Sequence, residues 1–78
     1  MNKAEAKALI FELLLEIAPE AELDRLPGNA QMRDELDLDS MDFLDFIAAV
    51  HERTGIDIPE AEYGRLATLD DAVAYLAR

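Results

Sequence analysis

An aspartate, a serine and a methionine stand together at positions 39–41, where an acidic stretch (Asp34, Glu35, Leu36, Asp37, Leu38) runs into a strongly amphipathic segment. A serine at a helix start normally caps it, its oxygen accepting hydrogen bonds from first-turn N–H groups. Here Asp39 precedes the serine and can take that role, with Asp42 three residues on as a weaker form of the reciprocal capping box. The Ser40 hydroxyl is then left outward in the first turn, a handle for covalent modification by another protein. A phosphate ester at that point is favoured by the positive end of the helix dipole and by nearby backbone donors.

Enzymatic chemistry finds little support. The one histidine, His51, lies roughly 16 Å from Ser40 along a shared helix at about 1.5 Å per residue, too far for a serine–histidine couple. No G-x-S-x-G elbow is present. His51 reads as a solvated surface residue. Zinc lacks Cys and His ligands. The acidic run places Glu35, Asp37 and Asp39 at alternating positions of a would-be calcium loop, but Ser40 stands where that loop needs glycine and Phe46 where it needs glutamate. No catalytic residue and no specific metal site is expected.

Composition narrows the class further. The chain has 78 residues, 51% apolar, with no cysteine, so one small domain over 1–78 must hold itself together without disulfides or thiolate–metal staples. Eighteen acidic against seven basic residues leave a net charge of −11. Such a surface repels nucleic acid and anionic membranes and steers the chain toward basic patches on partner proteins. It also repels itself, which favours a monomer and predicts stabilisation by salt or divalent cations. No signal-peptide pattern opens the sequence and no apolar run approaches membrane-spanning length, so the expected location is cytoplasmic.

The elements that must position Ser40 are helical. Ala6, Leu9, Ile10, Leu13, Leu14 and Ile17 recur at helical spacing and predict a helix over 3–17, stopped by Pro19. Phe11 and Leu15 fall off that stripe, placed to cover the following loop. Residues 18–39 lack periodicity, but Leu23, Leu26, Met32, Leu36 and Leu38 are spaced as anchors, with a turn at Pro27-Gly28-Asn29 and room for a short helical turn at 23–26. A second long helix is predicted over 40–54, its inner stripe Phe43, Phe46, Ile47 and Val50, closed by a left-handed Gly55. Residues 56–59 form an extended connector. Pro59 is expected to open a brief helix from its first position, running to Tyr63 or Leu66. Thr68 caps a last helix to about Ala77, with Leu69, Ala72, Val73 and Leu76 inward. The fold class expected is all-α, a small bundle of three long helices and one short one with a long first loop.

The second helix has another informative face. Met41, Leu44 and Ala48 line up off the core stripe, flanked by Asp42, Asp45 and Glu52. An apolar strip rimmed by acid suits docking onto basic, partly apolar partner surfaces.

These residues resemble the acyl carrier proteins. Leu38-Asp39-Ser40-Met41-Asp42 is similar to that family's attachment motif, and the likeness extends through the acidic approach, Ile58-Pro59 and Thr68-Leu69 to cover about residues 3–76. The resemblance implies a four-helix carrier fold, with Ser40 receiving 4′-phosphopantetheine from coenzyme A through a phosphopantetheinyl transferase, and Asp39 as the motif residue beside it. It implies a thioester-bound acyl cargo and a chain that catalyses nothing. Met41, Asp42, Leu44, Asp45, Ala48 and Glu52 would then meet acyl-loading and acyl-using enzymes, while Phe43, Phe46, Ile47, Val50, Tyr63 and Leu69 are candidates for the interior, some beside any acyl cleft. The chain departs from the family pattern in Asp37, where glycine is common, in His51 and Arg53, where general fatty-acid carriers keep acids, and in the bulk of Phe43 and Phe46. These departures point to a dedicated lipid or secondary-metabolite pathway. An aminoacyl or D-alanyl carrier shares Asp-Ser-Met, and an unmodified acidic helical adaptor is the reading from another class; a nucleic-acid charge mimic comes third.

Overall fold

Asn2 starts the first helix. In the computed structural model, which describes residues 1–77, its side chain accepts from the Glu5 N–H at 2.8 Å and the Glu5 carboxylate accepts from the Asn2 N–H at 3.1 Å. That reciprocal box satisfies two donors the helix cannot bond internally. Helix α1 spans Lys3–Ile17 and buries Ala6, Ile10, Leu13 and Leu14, with Leu9 and Ile17 half-buried at the margin of the stripe. Phe11 turns toward the following loop under Lys7, whose Nζ lies 5.4 Å from the ring centroid, and Leu15 beside it stays exposed.

The segment 18–39 is ordered by anchors, as its leucines predict. Leu23 opens a 3-10 turn (Leu23–Arg25) and is buried, as are Met32 and Leu38; Leu26 and Leu36 are half-buried. One element escapes periodicity altogether: α2, a single turn over Met32–Glu35. Its entry is pinned from afar. Gln31 and Thr68 form an isolated antiparallel bridge, and the Met32 N–H donates to the Ala67 carbonyl at 2.8 Å. Close by, the Asp70 N–H donates to the Gly28 carbonyl at 2.9 Å, and a side chain on Gly28 would run into the Asp70 carboxylate.

Helix α3 spans Ser40–Thr54 and buries Phe43, Phe46, Ile47 and Val50, the four stripe residues. Gly55 closes it in the left-handed region at φ 73°. Pro59 does not occupy a first helical position. It is the extended cap (ψ 152°) of a 3-10 segment over Glu60–Leu66, so its fixed φ sets the entry angle one residue earlier. Helix α4 spans Leu69–Leu76, capped by the Thr68 hydroxyl, which accepts from the Asp71 N–H at 3.1 Å. Leu69, Ala72 and Leu76 are buried and Val73 is half-buried; Tyr75 is buried as well, its hydroxyl donating to Glu62 at 2.9 Å.

Helices α1, α3 and α4 pack around one apolar core, with no strand among the described residues, and the whole is an all-α bundle. Arg53 ties α3 to α1 through Glu12 at 3.0 Å. No described helix is long and apolar enough to cross a membrane.

Candidate functional site

Ser40 owes its position to the end of α2. The chain leaves that turn with Asp37 in the left-handed region at φ 53°, and the Leu38 N–H reaches back to the Arg33 carbonyl at 2.8 Å. This is the Schellman closure, which usually takes glycine at the left-handed position. Leu38 is thereby driven into the core and Asp39 emerges extended, ready to cap.

Asp39 does cap α3. Its carboxylate accepts from the Asp42 N–H at 2.8 Å, and the Asp42 carboxylate accepts from the Asp39 N–H at 3.3 Å. The box predicted as weak is complete. Ser40 is therefore the first helical residue, exposed, with its side chain bonded to no backbone group; Oγ instead accepts from Arg33 Nη2 at 3.1 Å. The Arg33 guanidinium lies 5.8 Å from the centroid of the Phe43 ring, one turn beyond Ser40. Sequence reasoning missed Arg33. The available signal was its isolation: no other Lys or Arg lies between Arg25 and Arg53, a stretch dense in acid.

A groove of about 400 Å³ opens beside Ser40, walled by Arg33, Phe43, Leu44, Tyr63 and Ala67. A second, of about 500 Å³, continues along α3 past Leu44, Ala48 and His51 toward Ile58 and Pro59. A larger cavity, about 700 Å³, is lined by Pro19, Leu26 and Leu36 and does not touch Ser40. Below the first groove the interior is filled. Phe46 is fully buried, Phe43 nearly so, and their rings stand 6.3 Å apart. Tyr63 is half-buried, packed against the core at the groove wall.

The other face of α3 is open to solvent. Met41 is 66% exposed and Leu44 44%, among the most exposed large apolar side chains of the molecule; Ala48, Asp45 and Glu52 are exposed with them. Asp42 differs from Asp45 and Glu52, being half-buried and engaged in the cap. At the far end, Arg53 turns to Glu12, and His51 is exposed with Nδ1 at 2.9 Å from the Ile56 carbonyl and 3.7 Å from Asp57. Ser40 and His51 do not meet. Among the described residues no group of three His, Asp or Glu side chains is placed to hold a metal ion.

Residues 9–76 match the family model described as the phosphopantetheine attachment site. The chain is 32% identical over 77 residues to an acyl carrier protein of Acidothermus cellulolyticus, covering 99% of this chain and 90% of that protein. It is 39% identical over 62 residues to one from Renibacterium salmoninarum, covering 78% of this chain and 70% of that one. A third, from Zymomonas mobilis, is 34% identical over 55 residues, 70% of each chain. The chain belongs to the acyl carrier protein family, its fold is that family's small helical bundle, and its prosthetic group is a covalently attached 4′-phosphopantetheine.

Proposed function

We propose that this acyl carrier, folded as one domain, holds its 4′-phosphopantetheine on Ser40 and presents it to partners along the outer face of α3. The observation that supports Ser40 is the accounting of hydroxyls. The chain has one serine and two threonines. Thr54 donates to the Val50 carbonyl at 2.7 Å and accepts from the Ile56 N–H at 3.1 Å, and Thr68 caps α4. Of these three, Ser40, relieved of capping by Asp39, is the hydroxyl left free of the backbone. Its exposure lets a transferase reach it, and its place at the start of a helix of 15 residues favours a negative ester.

The chemistry at the residue is a displacement at phosphorus. Ser40 Oγ forms the new P–O bond, its proton passes to a base of the transferase, and the rest of coenzyme A leaves. The group so attached supplies a terminal thiol that carries an acyl cargo as a thioester. The chain's own residues orient and present: Asp39 and Asp42 fix the first turn, Phe43 anchors it in the core, and Met41, Leu44, Asp45, Ala48 and Glu52 offer an apolar strip with acidic edges to basic patches on loading and accepting enzymes. The chain performs no catalysis, works as a monomer in the cytoplasm, and is steered by its charge.

A dedicated lipid or secondary-metabolite pathway fits better than general fatty-acid synthesis. Phe43 and Phe46 fill the space beneath Ser40, so a long straight acyl chain would have to displace packed rings. Incubation with coenzyme A, magnesium and a broad-specificity transferase tests the attachment by intact mass: one pantetheine unit on the wild type and none on Ser40→Ala. A Ser40→Ala protein that still gains the unit contradicts it. Efficient support of standard fatty-acid elongation enzymes by the holo form would contradict the dedicated pathway.

A further inference from the structure

We propose that Arg33 is a positioning residue for the prosthetic group, pairing with the phosphodiester on Ser40 and holding the root of the arm against the Phe43 edge of the groove; this rests on Ser40 being the point of attachment. Three observations converge. Arg33 Nη2 already lies 3.1 Å from Oγ, the atom that becomes the ester oxygen. The guanidinium lies 5.8 Å from the Phe43 ring centroid, within cation–π reach on the Ser40 side of the groove. It is also the only Lys or Arg between Arg25 and Arg53, among Asp34, Glu35, Asp37, Asp39, Asp42 and Asp45.

Electrostatics gives the pairing a purpose. Modification adds a further negative charge to a chain already at −11, at a point crowded with carboxylates. Esterification removes the serine proton and lowers the basicity of Oγ, while the phosphodiester brings charged oxygens bonded to the phosphorus that Oγ now carries. A guanidinium is well suited to that exchange because its forked donors bind phosphate oxygens strongly. Arg33 is itself anchored: its carbonyl accepts from the Leu38 N–H at 2.8 Å, and α2 is pinned by the Gln31–Thr68 bridge. The cation is thus tied to the same Schellman closure that delivers Ser40.

The test compares apo and holo forms of the wild type, Arg33→Gln and Arg33→Lys, with intact mass verifying pantetheine on Ser40 in each holo sample. At about 10 mM salt, Arg33→Gln should lower the holo melting temperature by roughly 3–6 °C more than it lowers the apo one. Arg33→Lys should recover part of that difference. The gap should shrink at about 1 M salt, where the screening length is about 3 Å. The phosphorus resonance of holo Arg33→Gln should move toward its position in the urea-unfolded holo protein. An equal loss in both forms, or an unmoved phosphorus resonance, overturns the pairing and leaves Arg33 a surface contact. A wild type that gains no mass at Ser40 overturns the attachment beneath it instead.

Discussion

The two faces of α3 are built from similar residue types and do opposite things. Phe43, Phe46, Ile47 and Val50 are buried in the core shared with α1 and α4; Met41, Leu44 and Ala48, one step around the same helix, are left in water. Both sets recur at helical spacing. What separates them is their neighbours: the outer set is interleaved with Asp45 and Glu52, charges that cannot be buried unpaired. A strip that is apolar yet cannot turn inward is the face proposed for partners, and Ser40 sits at its head.

Substitutions on the two faces should therefore part company. Phe46→Ala removes the largest fully buried side chain and should cost about 3–5 kcal/mol, much of the stability of so small a domain, read from urea unfolding. Asp39→Ala removes the carboxylate that accepts from the Asp42 N–H, keeps the backbone N–H that donates to Asp42, leaves the core untouched, and should cost about 1 kcal/mol, lowering the melting temperature by roughly 4–8 °C. Asp37→Gly should do the reverse. It relieves an L-residue at φ 53° and should raise stability by about 0.5–1 kcal/mol, read from the same urea unfolding. Smallest and most general, millimolar magnesium should raise the melting temperature of the unmodified protein by screening its −11 charge; an unmoved transition would remove carboxylate crowding as a factor.

The long helices were legible because their signals are local. The α3 stripe, the Asp39 cap and Gly55 place its ends at 40 and 54, and Pro19 stops α1 after Ile17. What escaped was held by distant contacts. Helix α2 is four residues long and begins where Met32 bonds to Ala67, so no window of its own sequence carries a period. Arg33 went unnoticed for the same reason, since its partners Ser40 and Phe43 are brought to it by the turn through Asp37. Tyr63, a candidate for the interior or the edge of a cleft on sequence, is half-buried against the core and lines the groove. At the head of α3 the Asp39 cap and the outward Ser40 hydroxyl were readable, and the Arg33 contact beside them was not.

The division of α3 into a face for the fold and a face for partners can be tested on one variant. Leu44→Glu places a charge on the outer strip beside Ser40, where Leu44 is 44% exposed. Melting temperature and initial rate of pantetheinylation, measured on the same sample, should separate: stability within about 0.5 kcal/mol of wild type and a rate at least roughly tenfold lower, the loss expected when a contact worth about 1.4 kcal/mol is removed from the encounter. A variant modified as fast as wild type, or one that loses rate only because it unfolds, would contradict the division.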